Sequence, residues 1–349
     1  MWAMIVKEFR QLRRDNRTLA LMVVQPIVLL IVFGYAASFD VGTAPTVVVG
    51  ARAESVASGV PEFFDVVETR PGEGRAEAAD ALRRGEFAAA IVADGGAPAL
   101  LLDGSELFTA RSAVAVMSRS PDAPAPEVLF NPDLETPPIM VPALAGLILV
   151  FIGTIVTSLG VVRERQAGTM EQLAVMPLRP RDVFIGKISP YFLVAAADLV
   201  IVLLAGIWIF DVPFEGSFLT MGLGSLLFLF VTLGLGVLIS TVSENQGQAI
   251  QLALISLLPQ VLLSGMIFPL EAMPAGISWI GYALPLTYFI DIARGVMVRG
   301  APFDALLFPL GMLAFLGIAV FSLAVFRFRR DLAPAGAGTP EREASQKAA

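Results

Sequence analysis

Six long apolar runs constrain this chain more than any other feature: one near the start, then residues 40–137, then five more. Thr18–Phe39, Ile139–Val162, Ile188–Phe210, Phe218–Val242, Ala249–Leu270 and Ala305–Phe326 are each 22 to 25 residues long. A bilayer core about 30 Å thick is crossed by roughly 20 helical residues at 1.5 Å each. Five of the runs contain no Asp, Glu, Lys or Arg, and the third contains only Asp198. A core helix of a water-soluble domain would carry a polar stripe at helical period, and these runs carry none. With 56% hydrophobic and 16% charged residues, the expected class is a polytopic α-helical membrane protein of six transmembrane helices.

Charge distribution sets the expected topology. Residues 40–137 hold 16 acidic residues against 7 arginines, whereas the rest of the chain holds 15 acids against 17 bases. Lys7, Arg10, Arg13, Arg14 and Arg17 precede the first run, Arg163, Arg165, Arg179, Arg181 and Lys187 lie between the second and third, and Arg327, Arg329 and Arg330 follow the last. The positive-inside bias therefore places both termini and the 163–182 loop in the cytoplasm and the acidic 40–137 segment outside. Arg294 and Arg299 dissent, because they fall in a loop that this topology puts outside. Ala36-Ala37-Ser38 faintly resembles a signal-peptide cleavage site, but the first run is about twice the usual 7–15-residue apolar core, so an uncleaved span is expected.

Residues 1–17 read as an amphipathic helix on the cytoplasmic face, with Trp2, Ile5, Phe9 and Leu12 on one side and the basic residues on another. In 40–137, Thr46–Gly50, Phe87–Ala93 and Ala99–Leu102 are short strand candidates bounded by Gly, Asp or Pro. Arg75–Arg84 and Ser105–Ser118 are helical in character, the second with Ser105 as its N-cap. Ala93–Pro98 and Ser120–Pro126 read as loops. The expectation is a small inserted α/β extracytoplasmic domain.

Cysteine and histidine are absent, which excludes disulfides, thiolate chemistry and imidazole bases or metal ligands. No G-x-x-x-x-G-K-[ST] phosphate loop exists either; Arg181–Ile188 lacks its first Gly and its final Ser/Thr. Two stretches carry more information. Arg163–Tyr191 reads RERQAGTMEQLAVMPLRPRDVFIGKISPY, and Leu263–Gly295 reads LSGMIFPLEAMPAGISWIGYALPLTYFIDIARG. These resemble the membrane subunits of ABC-2 type exporters, in the subgroup with a large external domain between the first two spans. Glu164, Gly168, Thr169, Glu171, Leu173, Pro177, Gly186, Lys187, Pro190 and Tyr191 fit the first family pattern. Ser264, Gly265, Phe268, Pro269, Met273, Pro274, Pro285, Leu286, Thr287, Tyr288, Asp291, Arg294 and Gly295 fit the second.

The resemblance implies a coupling helix over 163–175 that touches an ATPase subunit, with Arg163, Glu164, Gly168, Thr169, Glu171 and Leu173 as its contact residues. It implies that 1–17 is the connecting helix and that 271–302 forms short re-entrant helices in the outer leaflet, where Arg294 can pair with Asp291. The implied partners are a cytoplasmic ABC ATPase, a second copy or similar permease, and membrane lipids, with no nucleic acid. No cofactor is expected in this chain, since ATP and Mg would be bound by the ATPase. The implied activity is export of a hydrophobic or amphipathic drug or lipid across the plasma membrane.

Inside the apolar runs, Asp198, Gln25, Gln251 and Gln260 are candidates for a translocation path, because an intramembrane charge or amide requires a partner or water. The same residues are equally compatible with helix packing. Two other function classes fit parts of the sequence: a proton-driven transporter using Asp198, and a membrane-anchored sensor acting through the external domain.

Overall fold

The computed structural model of the chain describes residue 27 and residues 42–119, 125–167 and 180–332. The expected helix at 1–17, nearly all of the first apolar run with Gln25, residues 168–179 and the tail beyond 332 lie outside the described residues.

Residues 44–129 form a five-stranded sheet: β1 (Ala44–Val49), α1 (Ala53–Ala57), β2 (Phe64–Arg70), α2 (Arg75–Arg83), β3 (Ala89–Val92), β4 (Ala99–Asp103), α3 (Leu107–Met117) and β5 (Glu127–Leu129). The strand order is β2-β1-β3-β4-β5. β1 runs parallel to β2 and β3, β4 is antiparallel to β3, and β5 is parallel to β4. Successive strand residues point to opposite faces, so the apolar runs in β1 and β4 serve two cores at once. Val48, Leu100 and Leu102 face Ala53 and Ala113 of α1 and α3. Val47, Val49 and Leu101 face Ala78 and Leu82 of α2.

Three expected strands and both expected helices overlap observed elements, and α1, β2 and β5 are additions. β2 (FDVVETR) is a sheet edge whose side chains are largely exposed, so it lacks an apolar signature. One expectation is corrected. Ser105 does not cap α3; the N-cap position is Glu106, which makes no side-chain cap bond. Asp103 intercepts the Ser105 backbone N–H at 2.8 Å and fixes the turn instead.

From residue 137 the chain is helical: α4 (Pro137–Gln166), α5 (Pro180–Ile209), α6 (Phe218–Val242), α7 (Gln246–Leu263), α8 (Ala275–Tyr282), α9 (Pro285–Arg294) and α10 (Leu307–Leu332). Among the described residues five helices are long and apolar enough to cross a membrane: α4, α6, α7 and most of α5 and α10. The uncharged run that supplies α7 is longer than the helix. Helix α7 stops at Leu263 because Ser264 leaves it and Gly265 follows at φ 80°, a left-handed conformation that favours glycine. Helices α8 and α9 have 8 and 10 residues, or about 12 and 15 Å of rise, too short to cross a bilayer.

α6 is the axis of the helical layer, packed along α10 and α4. Phe230 of α6 stacks on Phe321 of α10 with ring centroids 4.5 Å apart. Against α4 the approach is closer still, because a Cβ on Gly236 would lie 2.9 Å from Thr157 Cβ and 3.1 Å from Thr154 O. That contact falls where α4 widens into a π-turn at Ile152–Val156. Hydroxyls in these helices return to their own backbone: Ser225 to Met221 O at 2.7 Å, Thr232 to Leu229 O at 3.1 Å and Ser240 to Val237 O at 2.6 Å. Each satisfies a polar group locally where no water would reach it.

Replacing Gly236 by Leu should force α4 and α6 apart and destabilise the protein by about 1–3 kcal/mol. Gly222→Ala on the same helix should be neutral or slightly stabilising, since nothing lies within 4 Å of the added carbon. Thermal melting of the two variants in detergent checks the contrast.

Candidate functional site

The second sequence pattern folds into a compact knot around α9. Pro285 starts the helix at N1, where its missing N–H is harmless. Thr287 Oγ1 donates to Gly281 O at 2.6 Å, and Tyr288 Oη donates to Tyr282 O, so both tie α9 back to the end of α8. Leu286 and Phe289 pack onto α4 at Gly146, and Phe289 stacks on Phe228 of α6 with centroids 4.5 Å apart. Pro274 holds the N-cap position of α8. Arg294 donates to Gly265 O at 3.2 Å and pins the turn that ends α7.

Asp291 does not serve Arg294 in the way the i, i+3 spacing implies. It accepts from Arg299 Nη2 at 3.1 Å, eight residues along, where the chain leaves α9 through a π-turn at Gly295–Arg299. The widened turn rotates Arg299 inward over the same acid. Its other terminal nitrogen lies 3.5 Å from Asp103 Oδ2, at the end of β4. The Arg299 and Asp103 side chains are only 4% and 1% exposed.

A single buried guanidinium thus joins the sheet to the helical layer. Gly85 makes room for it: its φ is +73°, and a Cβ there would sit 2.9 Å from Arg299 Cζ. Burial pushes the Asp103 carboxyl above its usual range, opposed by Arg299 and by the Ser105 N–H. A surface pair repeats the link, Arg84 Nη2 to Asp304 Oδ2 at 2.6 Å. Leu107 of α3 is buried in the same core as α9, with Phe130 and Leu134 packed against that core.

Between the two layers lies a cavity of about 280 Å³. Ser264, Gly265, Pro269, Thr287, Tyr288, Asp291 and Arg294 line it, so the pattern residues are brought together; Pro274 and Pro285 are not in its wall. The sheet contributes Gly85, Glu86, Phe87, Asp103 and Glu106. Sequence reasoning missed these, and it flagged Arg299 only as a misplaced charge. That misplacement was the available signal, because an arginine set directly between apolar neighbours, Val296–Val298 and Gly300–Phe303, requires an acid to pair with.

The opposite end of α4 carries the first pattern. Arg163 is exposed and Glu164 half-buried, with Glu164 in electrostatic reach of Tyr191 on α5. Arg165 Nη1 donates to Ser243 O at 3.2 Å, and Gln166 Oε1 accepts from Gln246 Nε2 at 2.9 Å. These bonds fasten the end of α4 to the α6–α7 turn. That turn is itself locked, with Asn245 Oδ1 accepting the Gln248 N–H at 2.9 Å and Gln248 Oε1 accepting the Glu244 N–H at 3.0 Å. Gly168, Thr169, Glu171 and Leu173 lie outside the described residues.

Asp198 is half-buried on α5, whose neighbouring side chains Leu193, Val194 and Ile201 are exposed. Gln251 and Gln260 on α7 each leave a buried amide oxygen without a hydrogen-bond partner. No group of acids able to hold a metal occurs among the described residues.

Removing Arg299 strands the buried Asp103, and breaking such a buried pair costs about 3–5 kcal/mol. Arg299→Ala should therefore melt well below the parent protein, while Arg84→Ala at the surface should change little. The sign of the pH effect follows from Asp103. A carboxyl whose folded pKa is raised favours the folded state at low pH and loses that contribution as pH rises through the folded value. The Arg299→Ala deficit should thus be smaller at pH 5 than at pH 8, as melting at the two values will reveal.

Comparison of the sequence with known proteins places the chain among relatives. Residues 17–326 match the family described as ABC-2 family transporter protein. The chain is 31% identical over 335 residues to the probable multidrug ABC transporter permease YbhS of Escherichia coli (strain K12), covering 85% of this chain and 88% of that one. It is 29% identical over 364 residues to the probable multidrug ABC transporter permease YbhR of the same organism, covering 95% and 99%. ABC transporter G family member 20 of Dictyostelium discoideum is 29% identical over 175 residues, covering 50% of this chain and 24% of that protein.

Proposed function

Since the chain belongs to the ABC-2 transporter permease family, we propose that this ABC transporter membrane subunit exports a hydrophobic or amphipathic substrate, such as a drug or lipid. ATP is hydrolysed by a separate ATPase subunit, and this chain has no phosphate-binding loop of its own. The observation that carries the reading is the family match across 17–326, which takes in both sequence patterns. The names of the Escherichia coli relatives, multidrug permeases, support a drug-like cargo.

Six spans cross the plasma membrane, with both termini inside and the sheet outside. Support comes from α4, whose 30 residues rise about 45 Å from the acidic sheet at one end to Arg163 and Arg165 at the other. Two permease chains, identical or similar, enclose the path, with Asp198, Gln25, Gln251 and Gln260 as its polar candidates. The unpartnered amide oxygens of Gln251 and Gln260 support a wet or paired environment for α7.

Residues 163–175 are the coupling helix, with Arg163, Glu164, Gly168, Thr169, Glu171 and Leu173 meeting the ATPase, and 1–17 is the connecting helix. Motion imposed there reaches α6 and α7 through Arg165 and Gln166, because both bind the turn between those helices. Substrate and ATP are then coupled through two states of one bundle. Gentle purification of the tagged chain from its native membrane should bring a stoichiometric ATPase, and Glu164→Lys or Glu171→Lys should release it. Recovery of the intact permease without any ATPase would overturn the proposal.

A further inference from the structure

We infer that the cavity between the sheet and α9 is a binding site for an organic cation with an apolar body, an aryl- or alkyl-ammonium compound. Arg294 and Arg299 are both buried, at 8% and 5% exposure, and are held by Gly265 O on one side and by Asp103 and Asp291 on the other. The carboxylates of Asp291 and Glu86, by contrast, have side chains 49% and 39% exposed, Asp291 pairing with Arg299 and Glu86 with Arg70 and Arg84. The cavity wall thus holds four acids, Glu86, Asp103, Glu106 and Asp291, against two arginines, Arg294 and Arg299.

Two further features fit a cation with an apolar body. Tyr282, Tyr288 and Phe308 line the cavity, and Tyr288 and Phe308 form an edge-on ring pair 6.2 Å apart. Aromatic faces attract ammonium groups and cover apolar bodies equally well. Phe308 and Tyr282 are also largely exposed, so the apolar lining continues onto the outer surface of the helical layer. In the cavity wall, Ser264 is 2% exposed and its Oγ has no hydrogen-bond partner. An ammonium N–H supplies the missing donor, with the serine oxygen accepting. The volume of about 280 Å³ suits a ligand of one ring and a short chain.

As a statement about cargo, this inference rests on the exporter reading; as a statement about binding, it does not. The test uses the full chain in phosphatidylcholine nanodiscs at pH 7, titrated calorimetrically with 4-phenylbutylamine, 4-phenylbutanol and 5-phenylvalerate. The amine should bind about tenfold or more tighter than the alcohol or the carboxylate. Ser264→Ala and Glu86→Gln should each weaken the amine several-fold, and Asp291→Asn about tenfold. Asp291→Asn keeps an acceptor for Arg299, and unchanged melting temperatures establish that the variants are folded. Equal binding of all three probes, tighter binding of the carboxylate, or indifference of the amine to all three substitutions would overturn the site. Retention or loss of the ATPase in parallel purifications bears only on the exporter reading.

Discussion

Arg299 is the constraint on which the arrangement of the two layers depends. Its charge is buried, and a buried guanidinium is tolerated only where acids and hydrogen bonds match it. Asp103 supplies one acid from the end of β4 and Asp291 the other from α9. Neither layer can shift without exposing or stranding a charge. Gly85 completes the arrangement, because any side chain at that position would collide with the guanidinium. The sheet is consequently a rigid extension of the short helices, and the surface pair Arg84–Asp304 and the buried Leu107 reinforce the same contact.

That rigidity gives the second sequence pattern a division of labour. Leu286 and Phe289 anchor α9 in the bundle, and Thr287 and Tyr288 tie it to α8. Ser264, Asp291 and Arg294 face the cavity between the layers. The anchoring residues hold the cavity in place, and the facing residues set its chemistry. At the far end of α4, Arg165 and Gln166 perform an analogous tie to the α6–α7 turn. Both ends of the bundle are thus fastened by side chains from the two patterned stretches.

Much of this was legible in the sequence, for definite reasons. Uncharged runs mark long helices directly, and the span expected at Phe218–Val242 coincides with α6. Both faces of β1 and β4 are buried, so their apolar runs announce strands. The edge strand β2 carries Asp65 and Glu68 on exposed positions and a half-buried Arg70, and offers no such signal. The end of α7 was misjudged by composition because Met266, Ile267 and Phe268 are as apolar as the helix; only the backbone of Gly265 marks the turn. Arg299 shows the deeper limit. Its partner Asp103 lies 196 residues away, a separation that no local pattern encodes, and the π-turn that aims it leaves no residue signature.

The absence of cysteine allows the rigid-body claim to be tested cleanly. Spin labels on cysteines introduced at Val67 and Trp279, both exposed, report the distance between the sheet edge and α8 in the assembled transporter. If Arg299 fixes the two layers as one body, the distribution will be narrow and identical with and without a non-hydrolysable ATP analogue, and Arg299→Ala will broaden it. A broad distribution in the unaltered chain, or one that shifts with nucleotide, would contradict the account.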